Sequence, residues 1–333
     1  MPALEKSVLL DRILEAVRDG GGRPFLEKST YPWDLSIEGP GEAFHHARVY
    51  ISNVTHGGRP GQMPDEYRIQ ITTRPTTPPP GYRTLLLGWF EDEDIGVFAA
   101  FDPEFHRHPG RSPSVQIPRD VLSAAAAESR ITYHERGNQE VAFAFPPELL
   151  LTYIAEQASL HAAASASDLL ELIGTISTGA ELPAAVFEAL PPSRQRLLRT
   201  VRAYARESSF KRRVLTAYGF RCAICGCQLK LTDAAHIVPV SEPSSTDETT
   251  NGLALCALHH RAYDSGLIGV TADYAIQVSE ARMDVLRAAQ LDAGAPDFRQ
   301  ALGHTITLPK DEADRPRRDY LRRGLALRGW KEG

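Results

Sequence analysis

Leu9, Ile13, Leu14 and Val17 recur at the spacing of one helical face, and the glycines of "DGGG" close that helix at about Asp19. From about residue 30 the period changes. "HARVYISNV", "EYRIQITT", "RTLLLGWF", "IGVFAAFD", "SVQIP" and "VAFAFP" are short, β-branched or aromatic, and parted by Gly/Pro turns, which predicts strands. "TTRPTTPPPGYR" reads as an exposed proline-rich loop, and "PRDVLSAAAAES" and "PELLLTYIAEQASLHAA" as helices. Residues 1–155 are therefore expected to form an α+β domain that is β-rich and mainly antiparallel. Residues 156–192 are small and weakly polar and read as a linker with helix. A second domain is expected over 193–333. In "PPSRQRLLRTVRAYARESSFKRRVLTAYGFR" the prolines and Ser193 start one helix, and Ser208 or Ser209 starts another.

Composition adds bounds. Of 333 residues, 42% are apolar and 24% charged, the balance of a soluble globular chain. No apolar run reaches membrane-spanning length, and the acid-bearing N-terminus reads as an amphipathic helix rather than a signal peptide, so the cytoplasm is the expected location. The net charge of −5 hides a local reversal: from Arg194 to Arg221 there are nine basic residues and a single acid, Glu207. Most charge runs are solvated helical faces. This one is Arg-dominated and leads into a cysteine cluster, so Arg199, Arg202, Arg206, Lys211, Arg212 and Arg213 are read as contacts to DNA phosphates.

All four cysteines, Cys222, Cys225, Cys227 and Cys256, lie in one region, unlike a disulfide framework. "CAIC" and "CALH" are C-x2-C and C-x2-H knuckles, whose spacing turns both side chains of each onto one ion. Cys222, Cys225, Cys256 and His259 are thus expected to bind a structural Zn²⁺, with Cys227 spare. The alternative, four cysteines that merely pack, does not explain two correct spacings.

Between and after the knuckles stand "AHIVP", "NGLALC" and "HHRAYDSGLI". In this order they resemble the HNH, or ββα-metal, endonuclease superfamily, and most closely the HNH domains of restriction-type enzymes. The likeness covers about residues 205–333 and says little of residues 1–155. It implies a C-terminal zinc-stabilised ββα-metal nuclease domain with His236 as general base, Asn251 as the middle letter of the motif, and His260 as a ligand of a catalytic Mg²⁺ or Mn²⁺. Asn251 would brace the loop carrying His236 or touch the cation. The chemistry agrees: phosphodiester hydrolysis needs a base to activate water and a cation to offset the charge that develops on phosphate. The sequence departs from the family where many members carry Asp or His before the base, because Ala235 stands there. Asp233 is the candidate replacement ligand, weighed evenly against a strand-edge turn residue. The adjacent histidines would then divide two jobs, with His259 closing the structural site and His260 facing His236.

Double-stranded DNA, in some cases modified, is the implied partner, with no membrane; a double-strand break needs two sites or two visits by one, and a homodimer would supply the former. The first domain has the size of a DNA reader. Trp33, Tyr82, Trp89 and Phe90 are candidates to stack on a flipped base, although core packing is the better reading of each one singly. The acids Glu91 to Asp94 read as an exposed turn, and the histidines of "FHRHPG" and "FHHARV" as surface or loop residues. Two other readings stay open: a zinc-stabilised DNA-binding protein without catalysis, and an effector nuclease gated by a ligand or partner.

Overall fold

The computed structural model describes residues 3–39, 43–57, 65–92, 95–107, 114–136, 139–163 and 166–330. They fall into two compact units, Met1–Ser209 and Phe210–Gly333.

The first unit runs α1 (Lys6–Asp19), β1 (Arg23–Lys28), β2 (Trp33–Glu38), β3 (Phe44–His56), β4 (Glu66–Gln70), β5 (Tyr82–Asp92), β6 (Ile95–Phe101), β7 (Ser114–Pro118), α2 (Arg119–Glu128), β8 (Thr132–Glu135), β9 (Val141–Phe145), α3 (Leu150–Ala162), α4 (Ser167–Ile176), α5 (Ala184–Glu188) and α6 (Pro192–Ala217). Strand order is β1-β2-β3-β5-β6-β9-β8, with β4 pairing β3 and β7 beside this path. The sheet is antiparallel, as its alternating segments suggest, except where His46–Asn53 of β3 run parallel to Tyr82–Trp89 of β5. A parallel pair needs a crossover, and β4 with the proline-rich stretch after it supplies one.

Both faces of the sheet are covered. Leu85, Leu87 and Trp89 of β5 enter one core with α1, α3 and α4. Leu86 and Phe90 enter another with residues of β4, β7 and α2. This explains why "RTLLLGWF" lacks a polar alternate position.

Trp33, Trp89 and Phe90 are core residues, the preferred reading of each from sequence, whereas Tyr82 is half-buried with its ring 5.1 Å from that of His46. Several other expectations change. Glu91 accepts from Arg12 at 3.1 Å and from Trp89 Nε1 at 3.2 Å, so it is held rather than part of a free turn; Glu93 and Asp94 lie outside the described residues. His106, expected at the surface, is buried, with Nε2 2.7 Å from the buried carboxylate of Glu140, which also faces Arg136. A buried carboxylate needs such partners to offset its lost hydration. His45 and His46 are half-buried on β3, and His108 lies outside the described residues. Within the stretch read as a linker with helix, Leu160, Leu169, Leu170 and Ile173 belong to the first core. Finally, α6 runs unbroken through Ser208, whose hydroxyl donates to the Tyr204 carbonyl at 2.8 Å and so is satisfied inside the helix rather than capping a new one.

The second unit contains the end of α6, then β10 (Thr232–His236), β11 (Gly252–Cys256), α7 (Ala257–Asp264), β12 (Ile268–Val270), β13 (Ile276–Val278), α8 (Glu280–Ala288), α9 (Ala295–Ala301) and α10 (Arg318–Leu327). β10 and β11 pair antiparallel, with His236 opposite Gly252, and α7 begins at the residue after β11. Their core gathers Phe210, Val214, Ile237, Leu253, Leu255, Tyr263 and Leu321.

Candidate metal and catalytic site

Cys222 and Cys225 sit on a tight turn in which Gly226 donates to the Cys222 carbonyl at 2.9 Å and Cys222 to that of Cys227 at 2.8 Å. Gly226 holds φ +71°, a conformation most side chains avoid. Cys256 ends β11, and His259 lies one turn into α7. The four ligand atoms lie within 4.8 Å of one another. Cys225 and Cys256 sulfurs are 3.8 Å apart, and His259 Nδ1 is 3.5 Å from Cys222 and 3.3 Å from Cys256. A tetrahedral ion with Zn–S of about 2.3 Å and Zn–N of about 2.0–2.1 Å puts sulfurs about 3.8 Å apart and sulfur and nitrogen about 3.5 Å apart. The residues therefore fit a structural metal ion. They do not fit a disulfide, whose sulfurs stand about 2.0 Å apart.

Burial would raise the Cys222 thiol, but its contact with His259 and nearby backbone N–H groups outweigh this and bring it down to about 6. Burial and the adjoining thiols push Cys225 up to about 12. Cys227 stands outside the set, as expected of a spare.

His236, at the end of β10, is held on three sides. Its ring stacks on Phe210 with centroids 3.7 Å apart and planes 13° from parallel. Its Nε2 lies 3.3 Å from Asp247 Oδ1. Its main-chain carbonyl accepts from Arg328 at 3.0 Å. Asn251 is fully buried, and its amide works inward: Oδ1 accepts from Val238 N at 2.9 Å, and Nδ2 donates to the Thr246 carbonyl at 2.8 Å. Both bonds tie down the loop after His236.

His260 is half-exposed, with Nε2 3.3 Å from Asp264 Oδ2. Consecutive helical residues point about 100° apart, so His259 and His260 leave α7 in different directions. Among the described residues, no direct hydrogen bond joins His260 to His236. The route between them passes from Asp264 to Arg328, 3.7 Å apart, and on to the His236 carbonyl. Arg328 is nearly buried, lies 4.0 Å over the Tyr263 ring, and also donates to the Ile237 carbonyl at 2.6 Å. Gly324 makes this possible, since a Cβ there would fall 2.6 Å from that carbonyl oxygen.

Asp233 is not gathered with the histidines. It pairs with Lys211 at 3.1 Å, and among the described residues the Cys3His set is the one group of three or more such ligands brought together. The basic residues divide between the units. Arg199 lies 5.0 Å over the Phe187 ring, Arg202 pairs with Glu181, and Arg206 is also engaged, all in the first unit. Lys211, Arg212 and Arg213 belong to the second, where Arg213 donates to the Asp247 carbonyl at 2.6 Å. Asp247, Phe210 and Arg328 were missed from sequence. Asp247 is one acid of a polar loop, and Arg328 is one arginine among many.

A paired strand, a second strand and a following helix, pinned at one end by a Cys3His cluster and bearing a histidine on the first strand and another on the helix, define a metal-binding domain of the ββα nuclease class. Residues 222–271 match the HNH endonuclease family model, and residues 45–154 match the model described as Methylase-associated X1. The C-terminal unit thus carries an HNH-type endonuclease domain, with a separate β-rich region before it. No curated protein matches the chain. Among solved structures, a modification dependent TagI restriction endonuclease aligns at 12% identity over 84% of this chain and 80% of that one, with a TM-score of 0.31, a likeness too slight to bear on fold or function. Among the described residues, no helix is long and apolar enough to cross a membrane.

Proposed function

We propose that this protein is a metal-dependent DNA endonuclease of restriction or defence type, in which residues 1–155 read a DNA sequence or a modified base and residues 193–333 cut. The observation that carries the reading is the stacked and braced His236 on a strand whose partner runs directly into the Cys3His cluster. Cys222, Cys225, Cys256 and His259 would hold Zn²⁺ and fix α7 against the strand pair. His260 would hold Mg²⁺ or Mn²⁺, which when bound supplies a positive charge against the phosphate and the departing oxygen. Asp233 would have to leave Lys211 to join it, so His260 is the ligand on which the reading rests.

His236 takes a proton from water as the water oxygen bonds to phosphorus and the bond to the leaving oxygen breaks. Asp247 stabilises the imidazolium so formed, and the Phe210 ring fixes its plane. Asn251 keeps the loop in register and touches no reacting atom. Lys211, Arg212 and Arg213 would meet the DNA backbone, whose charge dominates affinity; Arg199, Arg202 and Arg206 lie further along the same helix. A double-strand break needs two such sites, which a homodimer would supply, or two visits by one.

The test is cleavage of matched modified and unmodified DNA by the full chain with Mg²⁺ or Mn²⁺, with and without chelator. The expected result is metal-dependent cutting, lost in His236→Ala. Intact DNA under every condition, or a His236→Ala protein as active as the parent, would sink the reading. A non-catalytic DNA-binding protein is the second reading. It is favoured by one observation, that no second trio of ligands gathers among the described residues, and it requires binding without cutting.

A further inference from the structure

One cleft of the second unit, of about 920 Å³, is absorbed neither by the Cys3His cluster nor by the histidines. That volume falls at the upper end of the ~300–1,000 Å³ typical of sites that enclose a ligand. Its walls are the last turns of α6, the turn bearing Cys222, and the segment from Thr307 to Asp314. The Thr307 N–H donates to the Ala223 carbonyl at 2.7 Å, and Arg315 donates to the Pro309 carbonyl at 3.3 Å, so the third wall is tied to the second and folded on itself. The cleft is built into the fold.

Its charge is lopsided. Arg212, Arg213, Arg221 and Lys310 line it against Asp311 and Asp314. The carboxylate of Asp311 is committed to a turn, accepting from the Ala313 N–H at 3.0 Å. Arg221 and Lys310 are exposed, and neither side chain has a hydrogen bond or ion pair among the described residues. Guanidinium and ammonium groups facing one concavity favour phosphate, with arginine able to donate in a fork. The cleft also has an address. Arg213 on its wall holds the Asp247 carbonyl, and the Asp247 carboxylate faces His236. Phe210, one turn earlier on α6, stacks on the His236 ring.

We infer that this cleft holds backbone phosphates of the DNA next to the one at His236, with Arg221 and Lys310 as contacts alongside Arg212 and Arg213. The inference rests on the nuclease reading for its ligand, but it assigns a site and two residues that the reading does not. Arg221 stands beside the metal knuckle and Lys310 nearly ninety residues later, so no linear pattern joins them. The cleft would grip the strand beyond the reacting phosphate and hold it against the base, which makes binding energy away from the reacting centre serve the chemistry.

The experiment measures binding of a fluorescent duplex by the full-length chain carrying His236→Ala, so that the DNA stays whole, over a series of salt concentrations. Arg221→Ala and Lys310→Ala are added singly and together, with Arg287→Ala on α8, paired to Asp284 outside the cleft, as the control. Each lost phosphate contact should reduce the slope of log affinity against log salt by about one, so the double variant should lose about two. The control should keep the parent slope. A double variant with the parent affinity and slope overturns the inference, as does a parent that binds no duplex at low salt. Inorganic phosphate is titrated in parallel: displacement of the duplex by low millimolar phosphate would make the cleft a small-anion site and overturn the backbone assignment. Cleavage by the chain with His236 intact is followed separately. Absence of cleavage by the parent counts against the nuclease reading, whereas an unchanged slope counts against the cleft alone.

Discussion

Arg328, near the C-terminal end of the described chain, donates from Nη2 to the main-chain carbonyl of His236 at 3.0 Å, and the same nitrogen lies 3.7 Å from Asp264, the partner of His260. One buried side chain thereby contacts the main chain of His236 and the acid paired with His260. Arg328→Ala should lower single-turnover cleavage on the order of a hundred-fold, the scale on which a misplacement of about 1 Å acts. Arg328→Lys should recover part of that loss, since an ammonium can serve one carbonyl but not the fork. Equal activity for Arg328→Ala and the parent would exclude the positioning role.

The adjacent histidines should fail in different ways. His259→Ala removes a metal ligand and should abolish the cooperative unfolding transition of the second unit, because metal affinity in such sites is folding free energy. His260→Ala should melt near the parent temperature yet be inactive. Circular dichroism melting beside a cleavage assay separates the two, and identical melting curves would contradict the division. A strong chelator should reproduce the His259→Ala behaviour.

Asn251→Ala strips the loop after His236 of its brace and leaves the Val238 N–H without its partner. A buried donor left unmade costs about 1–3 kcal/mol. The expected outcome is a loss of stability of that size in denaturant titration, together with reduced cleavage. A change in cleavage with no change in stability would instead point to direct contact with the reaction.

In the first unit, Asp34 accepts from Arg48 at 2.8 and 2.9 Å, and that hydrogen bond holds its carboxyl below the ordinary range. A carboxyl depressed in the folded state contributes stability above its unfolded value, about 3.9, and loses it as pH falls through the lower folded value. The first unit should therefore lose stability on acidification below about pH 4, and Asp34→Asn should flatten that part of the curve. Melting temperature against pH for both proteins is the measurement; parallel curves would refute the link.

Much of the site was legible in sequence because its signals are local. Cys222 and Cys225 belong to one turn, and Cys256 and His259 to one strand end and the helix turn after it, so spacing alone brings each pair together. The strands "RTLLLGWF" and "IGVFAAFD" announced themselves by apolar residues that had to be buried. β1 did not, because "RPFLEK" exposes most of its side chains and carries no alternation. His106 was read as a surface residue because its partner Glu140 lies 34 residues away, and the pairing exists only once β9 is in place.

The same boundary runs through the whole molecule. The sequence by itself determined the Cys3His metal set and the α+β class, since each depends on residue type and short spacing, and it singled out His236, Asn251 and His260 through their resemblance to the HNH motif. Tertiary structure alone decided that Phe210 lies on the ring of His236, that Asp233 answers Lys211, and that Arg328 closes the site. It also decided that Arg221 and Lys310 share one cleft. These are contacts between segments far apart in the chain, and their geometry is set by how the core of each unit packs rather than by any local preference.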